Sequence, residues 1–561
     1  MYKNAGMSSA LKSAVTAKHG ALNVIEGASG AHHSYAEEEK IAFSEHLNNC
    51  LAADPQLADK LPIDPNSDQL FSVISDGVVM AKLINKAVAE TIDERTVNIP
   101  KGSKPLNPWE KKENQNLVIN SAKAIGCNIV NVHASDLMDT LANNKQYLVL
   151  GMVWQIVKIQ LLNSINLRER PELVKLLKED EELADLMALP AEEVLLRWLN
   201  YHMEKQGCDR RVRNFGSDLK DGVVYGNLLY SITPAIPECD KSSILAQEGR
   251  DRAAAVIEGA KAQGVESFIQ PGDITSGNKR LNLAFCAQIF NNNPGLVEDE
   301  AELQALIEAA GMLDDDEADS REERVFRMWM NSLNLGTPPG SVYINDLIYE
   351  MADGLHLLQT EDKVQPGVVN WKKVNKPKDD RKLNKFNAIA NCNYSVDVGK
   401  EMGLSLVGIG GVDVHDRNRK LILAIVWQLM RKQVLNMLAE VGGGSAIKEA
   451  DVLEWANTRI RESGRSSEVS SFKDSSLVTG VWLLDLLGAI EARLINPELV
   501  TAGTDDEEKK NNARYVISVA RKLGATVFCT WEDIVDGNSK FIFILAASIM
   551  LTAQSYEAVG K

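Results

Sequence analysis

The chain has 561 residues, 45% hydrophobic and 25% charged, with a net charge of −17. That length is too great for one hydrophobic core and suits several domains of globular composition. The acidic balance excludes the basic surface that nonspecific nucleic-acid binding requires. Aromatic residues are only 6%, and strand-like alternation is scarce, so an all-α fold is predicted. The seven cysteines are scattered without a Cys-x-x-Cys pair, which implies neither a zinc site nor a disulfide framework and fits a reduced cytosolic setting. No basic segment followed by an apolar core marks a secretory signal.

Residues 1–33 are rich in Ala, Ser and Gly and read as a flexible segment. Their one acidic residue, Glu26, cannot assemble a calcium loop, so no EF-hand is expected there. The first repeat, 34–165, opens on an amphipathic helix carrying Phe43-x-x-His46-Leu47-Asn48. The same signature returns as Leu195-x-x-Trp198-Leu199-Asn200, Phe326-x-x-Trp329-Met330-Asn331 and Val452-x-x-Trp455-Ala456-Asn457. These copies lie roughly 130 to 150 residues apart, the size of a small domain and far beyond a solenoid period.

Each asparagine is followed by a small-residue turn into an apolar helix: Asp76-Gly77-Val78, Asp221-Gly222-Val223, Asp353-Gly354-Leu355 and the weaker Thr479-Gly480-Val481. A third signature pairs an Ala or Gly, a Gly and an Asp: Ala122/Gly126/Asp136, Ala260/Gly264/Asp273, Gly399/Gly403/Asp413 and Ala520/Gly524/Asp533. Each repeat closes on a dense apolar helix, clearest around Trp154 and Trp427, both expected in cores. The longest apolar runs, near 147–162 and 541–553, are read as core helices too short to span a membrane.

The connector 168–189 spaces Leu173, Leu176, Leu177, Leu183 and Leu186 helically. The second repeat covers 190–292, an acidic, solvated linker 293–318, the third repeat 319–438 and the fourth 447–556, after the hinge Gly442-Gly443-Gly444-Ser445. The linker's Asp314-Asp315-Asp316-Glu317 lacks the central Gly of a calcium loop.

No phosphate-binding Gly-x-x-x-x-Gly-Lys-Ser/Thr loop and no His-Glu-x-x-His helix occurs. Gly408-Ile409-Gly410-Gly411 lacks the third glycine of a dinucleotide loop and reads as a turn, and His46 holds a packing position given to Trp in the other repeats. No catalytic or metal site and no cofactor is expected. Two basic stretches stand against the acidic background: Lys101, Lys104, Lys111 and Lys112, and then Lys372, Lys373, Lys376, Lys378, Arg381, Lys382 and Lys385. A charge run is ordinarily a solvated face, but these two fall in the first and third repeats, the leading members of each pair.

The repeated pattern resembles the calponin-homology domain, a small all-α unit with a central hydrophobic helix. Four in tandem resemble the fimbrin (plastin) family of compact actin cross-linkers. The resemblance runs over roughly 34–556, through Ser34-Tyr35-Ala36-Glu37-Glu38-Glu39-Lys40, Thr91-Ile92-Asp93-Glu94-Arg95, Ser121-Ala122-Lys123-Ala124-Ile125-Gly126-Cys127, Trp371-Lys372-Lys373-Val374-Asn375-Lys376-Pro377 and Ser471-Phe472-Lys473-Asp474.

It implies four calponin-homology domains forming two tandem actin-binding modules in a compact core. By resemblance, actin contacts map onto about 38–48, 145–161 and 192–203 in the first half, and onto 322–333, 418–435 and 449–460 in the second. Within these, Lys145, Lys158, Arg431 and Lys432 are expected to be exposed contacts, beside the two basic stretches. The implied partner is filamentous actin, bundled by a monomer whose two modules each hold one filament, without nucleic acid or membrane. A non-actin adaptor, for microtubules or signalling partners, uses the same fold and stays open as the alternative.

Overall fold

In a computed structural model the chain is described over residues 22–26, 32–100, 102, 104–167, 169–178, 181, 183–187, 189–297, 300–309, 321–337, 342–377 and 383–559. It divides into two bodies, residues 1–75 with 139–313, and residues 76–138 with 314–561, so the first repeat contributes to both.

The signature asparagine has one job in all four repeats. Asn48, on the helix Glu37–Leu51, donates to the Ile63 carbonyl at 2.8 Å and accepts the Ile63 N–H at 2.7 Å. Asn200 treats Val212 the same way (2.9 and 2.8 Å), Asn331 treats Ile344 (2.9 and 2.7 Å), and Asn457 treats Val469 (2.9 and 3.3 Å). The carboxamide thus supplies the donor and acceptor that a buried stretch of irregular backbone would otherwise lack.

The small-residue turn is equally local. Asp76, Asp221 and Asp353 accept the N–H two residues on, from Val78, Val223 and Leu355, and the Thr479 hydroxyl takes over for Val481. Between them Gly77 and Gly354 hold φ of 80° and 75°, and an added Cβ would stand 2.8 Å from the Asn114 Cβ and 2.7 Å from the Cys392 nitrogen. Both the left-handed backbone and the close approach require glycine. The Asp of the third signature caps a short helix through the backbone N–H groups of His133, Gln270, Gly410 and Thr530.

In the first body, Phe43 stacks on Trp154 of the closing helix Gln146–Leu162, with centroids 6.1 Å apart. In the second repeat the helix Ala191–Lys205 packs on Lys279–Asn292, where Trp198 meets Phe290 edge-on and its indole N–H donates to the Pro294 carbonyl at 2.7 Å. In the second body a single apolar core runs through the third and fourth repeats, including Phe326, Trp329, Trp482, Phe541 and Phe543.

Several expectations change. Leu22–Glu26 and His32–Ala36 pair as an antiparallel ladder, so part of the segment expected to be flexible is ordered, while residues 1–21 and 27–31 lie outside the described residues. The connector folds as a 3₁₀ turn, Pro171–Leu176, and a short helix, Leu183–Met187, with Leu173, Leu176 and Leu186 buried. The acidic linker includes a helix, Glu300–Ala309, whose Glu302 pairs with Lys175; the Asp314–Asp319 run lies outside the described residues. The helix Arg419–Val441 is long and apolar enough to cross a membrane. It is the closing helix of the third repeat, and Ile422, Ile425, Val426 and Leu429 are buried in the core.

Candidate functional site

Within each body the closing helix of a pair's second repeat packs on the closing helix of its first repeat and reaches the opening helix, using residues at equivalent positions. In the first body Arg280, on the helix Lys279–Asn292, pairs with Glu39 of the opening helix at 2.9 Å and lies 5.9 Å over the Trp154 ring. Lys540 pairs with Glu322 at 2.9 Å in the second body and lies 5.7 Å over Trp427.

A second ion pair is duplicated as well. Lys158 of the first closing helix meets Glu192, and Arg431 of the third repeat's closing helix meets Glu449 at 2.8 Å. The second body adds Arg321 to Asp536 at 2.7 Å. Glu38 stands where Arg321 does, four residues before the equivalent of Ala42, so this bridge has no counterpart built from the same residues in the first body.

His46 is buried between the repeats of the first body. Its Nε2 lies 2.9 Å from Gln160 Oε1 and its ring meets Phe268 edge-on, with centroids 4.8 Å apart. Burial holds its pKa below the usual histidine value. Nearby, burial and then the Asp273 charge raise the Glu45 carboxyl above the ordinary range.

The sequence-based site residues therefore separate into two kinds. Lys158 and Arg431, expected to be exposed, are half-buried latch residues, because each spans to the opening helix of the next repeat. Lys145 and Lys432 are also half-buried, Lys145 at the start of its helix. Trp154 is buried as expected, but Trp427 is only partly so, lying beneath Lys540. Lys104, Lys112, Lys372, Lys373 and Lys376 are exposed, and Lys111 is half-buried. Lys101, Lys378, Arg381 and Lys382 lie outside the described residues.

One arrangement had no sequence signal at all. In the second body the stretch Thr91–Ala124 of the first repeat docks on the helix Asp506–Leu523 of the fourth through buried polar groups. The Asp93 N–H donates to the Ser518 hydroxyl at 2.8 Å, and Asn120 donates to the Arg521 carbonyl at 3.1 Å. Lys522 donates to the Thr96 carbonyl at 2.7 Å and to Asn98 at 2.9 Å. Arg521 reaches the Thr91 carbonyl at 2.8 Å, and burial lowers its pKa to about 10. Acidic Glu90 and Glu113 meet Arg514 at 3.3 Å and Lys522 at 3.7 Å. Arg493 lies 5.5 Å over the Trp109 ring.

Comparison with known families matches the Calponin homology (CH) domain four times, at residues 37–161, 189–295, 320–434 and 446–555. The chain is 44% identical to Fimbrin-4 of Arabidopsis thaliana over 92% of its own length and 77% of the relative's. It is 42% identical to fimbrin of Dictyostelium discoideum, covering 97% and 86%, and 40% identical to Plastin-2 of Danio rerio, covering 98% and 86%.

The chain belongs to the fimbrin (plastin) family.

Among solved structures it matches the actin-crosslinking core of Schizosaccharomyces pombe fimbrin, with a TM-score of 0.76 and 37% identity, over 92% of this chain and 100% of that one. Against the fimbrin pattern of four CH domains, the duplicated latch residues fall at the joint between the first and second domains and again between the third and fourth. The polar docking surface joins the first fimbrin CH domain to the fourth.

Proposed function

We propose that the chain cross-links actin filaments, each tandem CH pair binding one filament. The observation that carries this reading is the duplication itself. Two pairs share the Asn clamps, the capping residues and the Arg280/Lys540 and Lys158/Arg431 latches. The solved relative that matches over its whole length is an actin-crosslinking core. Two modules on one chain make the second attachment effectively intramolecular, which is what a bundler needs. The chain acts by binding rather than catalysis, as a monomer in the cytoplasmic actin cytoskeleton, and it engages neither nucleic acid nor membrane.

Contacts are assigned to the latched helices and to the basic surfaces around Lys104, Lys111 and Lys112 and around Lys372, Lys373 and Lys376. The segments mapped at 38–48 and 322–333 are each tied to the second domain of their pair by one of these ion pairs. Filament binding then selects conformations in which that tie is released, and apparent affinity scales with their population. High-speed co-sedimentation against actin filaments and, separately, microtubules tests the reading. Pelleting with actin alone is expected; pelleting with microtubules but not actin would install the adaptor alternative.

A further inference from the structure

The third domain breaks a packing rule that the other three keep. In every domain a ten-residue helix begins on the residue after the turn glycine: Val78–Ala87, Val223–Ile232, Leu355–Val364 and Val481–Ile490. Seven residues past that glycine stand Ile84, Leu229 and Leu487, all fully buried. Four residues before the Ala of the third signature stand Val118, Val256 and Val516, fully buried as well. In the third domain the same two positions hold Glu361 and Ser395. Glu361 is 0% exposed; its Oε1 accepts the Ser395 hydroxyl at 2.9 Å, and its Oε2 has no partner among the described residues. Thr360, also fully buried, replaces Leu83, Leu228 and Leu486.

An ionised carboxylate with one neutral hydrogen bond is too costly to bury, so the folded domain holds Glu361 as the neutral acid. Burial raises its pKa well above the ordinary 4.5, with the Ser395 hydrogen bond opposing. On the packed helix Lys385–Glu401 the charged Lys385, Asp397, Lys400 and Glu401 are exposed, and burial pushes the Cys392 thiol up to about 12. On the packed helix Arg419–Val441, Arg419 pairs with Glu323 and Arg431 with Glu449, Lys420 and Glu440 are exposed, and Lys432 is half-buried. On its own helix, Asp362 accepts the Gly367 N–H and the Trp371 indole N–H, and Lys363 is exposed. His356 Nε2 lies 3.7 Å from Glu350 Oε2. Burial lowers the His356 pKa, against the Asp353 charge, and raises the Glu350 carboxyl to about 7.

We propose that the third domain carries a proton-linked release: opening the helix Leu355–Val364 exposes Glu361, passes its proton to water and loosens the closing helix Arg419–Val441. The two helices pack together, and Asn436 of the closing helix donates to the Val364 carbonyl at 3.3 Å. The closing helix also carries the Arg431 latch, so the release reaches the joint between the third and fourth domains. The opened chain gives up the proton above about pH 4.5, whereas the folded domain keeps it. The stability that this group contributes is therefore complete below pH 4.5 and is lost as pH rises toward the folded value. Each pH unit in that range multiplies the open population by up to about tenfold. Glu350 adds to the trend up to about pH 7, and His356 opposes it below about pH 6.5.

Hydrogen–deuterium exchange of the whole chain, read by mass spectrometry on peptides from 355–364 and 419–441 at pH 5, 6.5 and 8, tests the release. Wild type is compared at each pH with Glu361→Leu, which installs the leucine of the second and fourth domains, and with Glu361→Leu combined with Ser395→Val. Comparison at equal pH cancels the intrinsic rate. From pH 5 to pH 8 the wild-type rate relative to either variant should grow by at least about tenfold in both peptides. The same ratio in a peptide from 223–232 of the second domain should stay constant. A ratio that does not change with pH overturns the release. Growth in 355–364 alone overturns its reach to the closing helix, and equal growth in 223–232 overturns its assignment to the third domain.

Discussion

Reversing Arg280 to Glu should raise filament affinity, because it breaks the tie within the first module without touching a core. The guanidinium pairs with Glu39, whose side chain is only 12% exposed, and lies over Trp154. Arg280 itself is 45% exposed, so solvent screening limits its ion pair to under about 1 kcal/mol. A cation over an aromatic face adds roughly 0.5–1 kcal/mol, and placing a second carboxylate beside Glu39 adds repulsion of similar size. The closed state should lose about 2 kcal/mol, roughly a thirtyfold shift toward the released conformation. Co-sedimentation of the full chain at fixed salt should then show tighter binding by up to that factor, with Arg280→Lys near wild type. Affinity within twofold of wild type in a folded Arg280→Glu protein would refute the idea that this tie limits binding.

Asn331→Ala should destabilise the second body by about 2–4 kcal/mol, since it strands both backbone groups of the fully buried Ile344; a denaturant midpoint equal to wild type would contradict the clamp. Burial holds the His202 pKa down to about 4, against Ser231 at 2.8 Å and the Pro294 carbonyl at 2.9 Å. The unfolded chain therefore takes up a proton below about pH 6.5 that the folded chain refuses until about pH 4. Its share of stability, roughly 3 kcal/mol, is complete above pH 6.5 and is lost as pH falls through that window, and His202→Gln should flatten that slope in urea titrations. Reversing Lys372, Lys373 and Lys376 together to Glu should weaken filament binding most at low salt. It should move stability by no more than about 0.5 kcal/mol, as circular dichroism melts would report.

The repeats were legible because each signature serves its own domain. Asn48 and its three equivalents reach backbone 12 to 15 residues downstream, so spacing preserves them. A second clamp went unread for a physical reason. Asn114 and Asn512 each tie the turn region to the loop before their helix and Asn391 holds the same loop through Asn375, but in the second domain Arg252 does this work through the Asp221 and Leu245 carbonyls. A different side chain reaching the same carbonyls breaks the pattern.

The docking of the first domain on the fourth was invisible because its residues, Asn120, Ser518 and Lys522, read as ordinary solvated polar positions until the fold brings them together. The partners of Lys158 and Arg431 were hidden in the same way. Sequence marks them as cations on an apolar helix, and only the neighbouring domain supplies Glu192 and Glu449 as their partners.

The central claim is that one chain holds two filaments. It is tested most directly by measuring, on the same preparation, the mass of the protein in solution and its ability to bring actin filaments down at low speed. The account predicts a monomer that pellets filaments at low speed as ordered bundles. A monomer that binds filaments at high speed yet never bundles them would contradict it, as would bundling found only in a dimeric fraction.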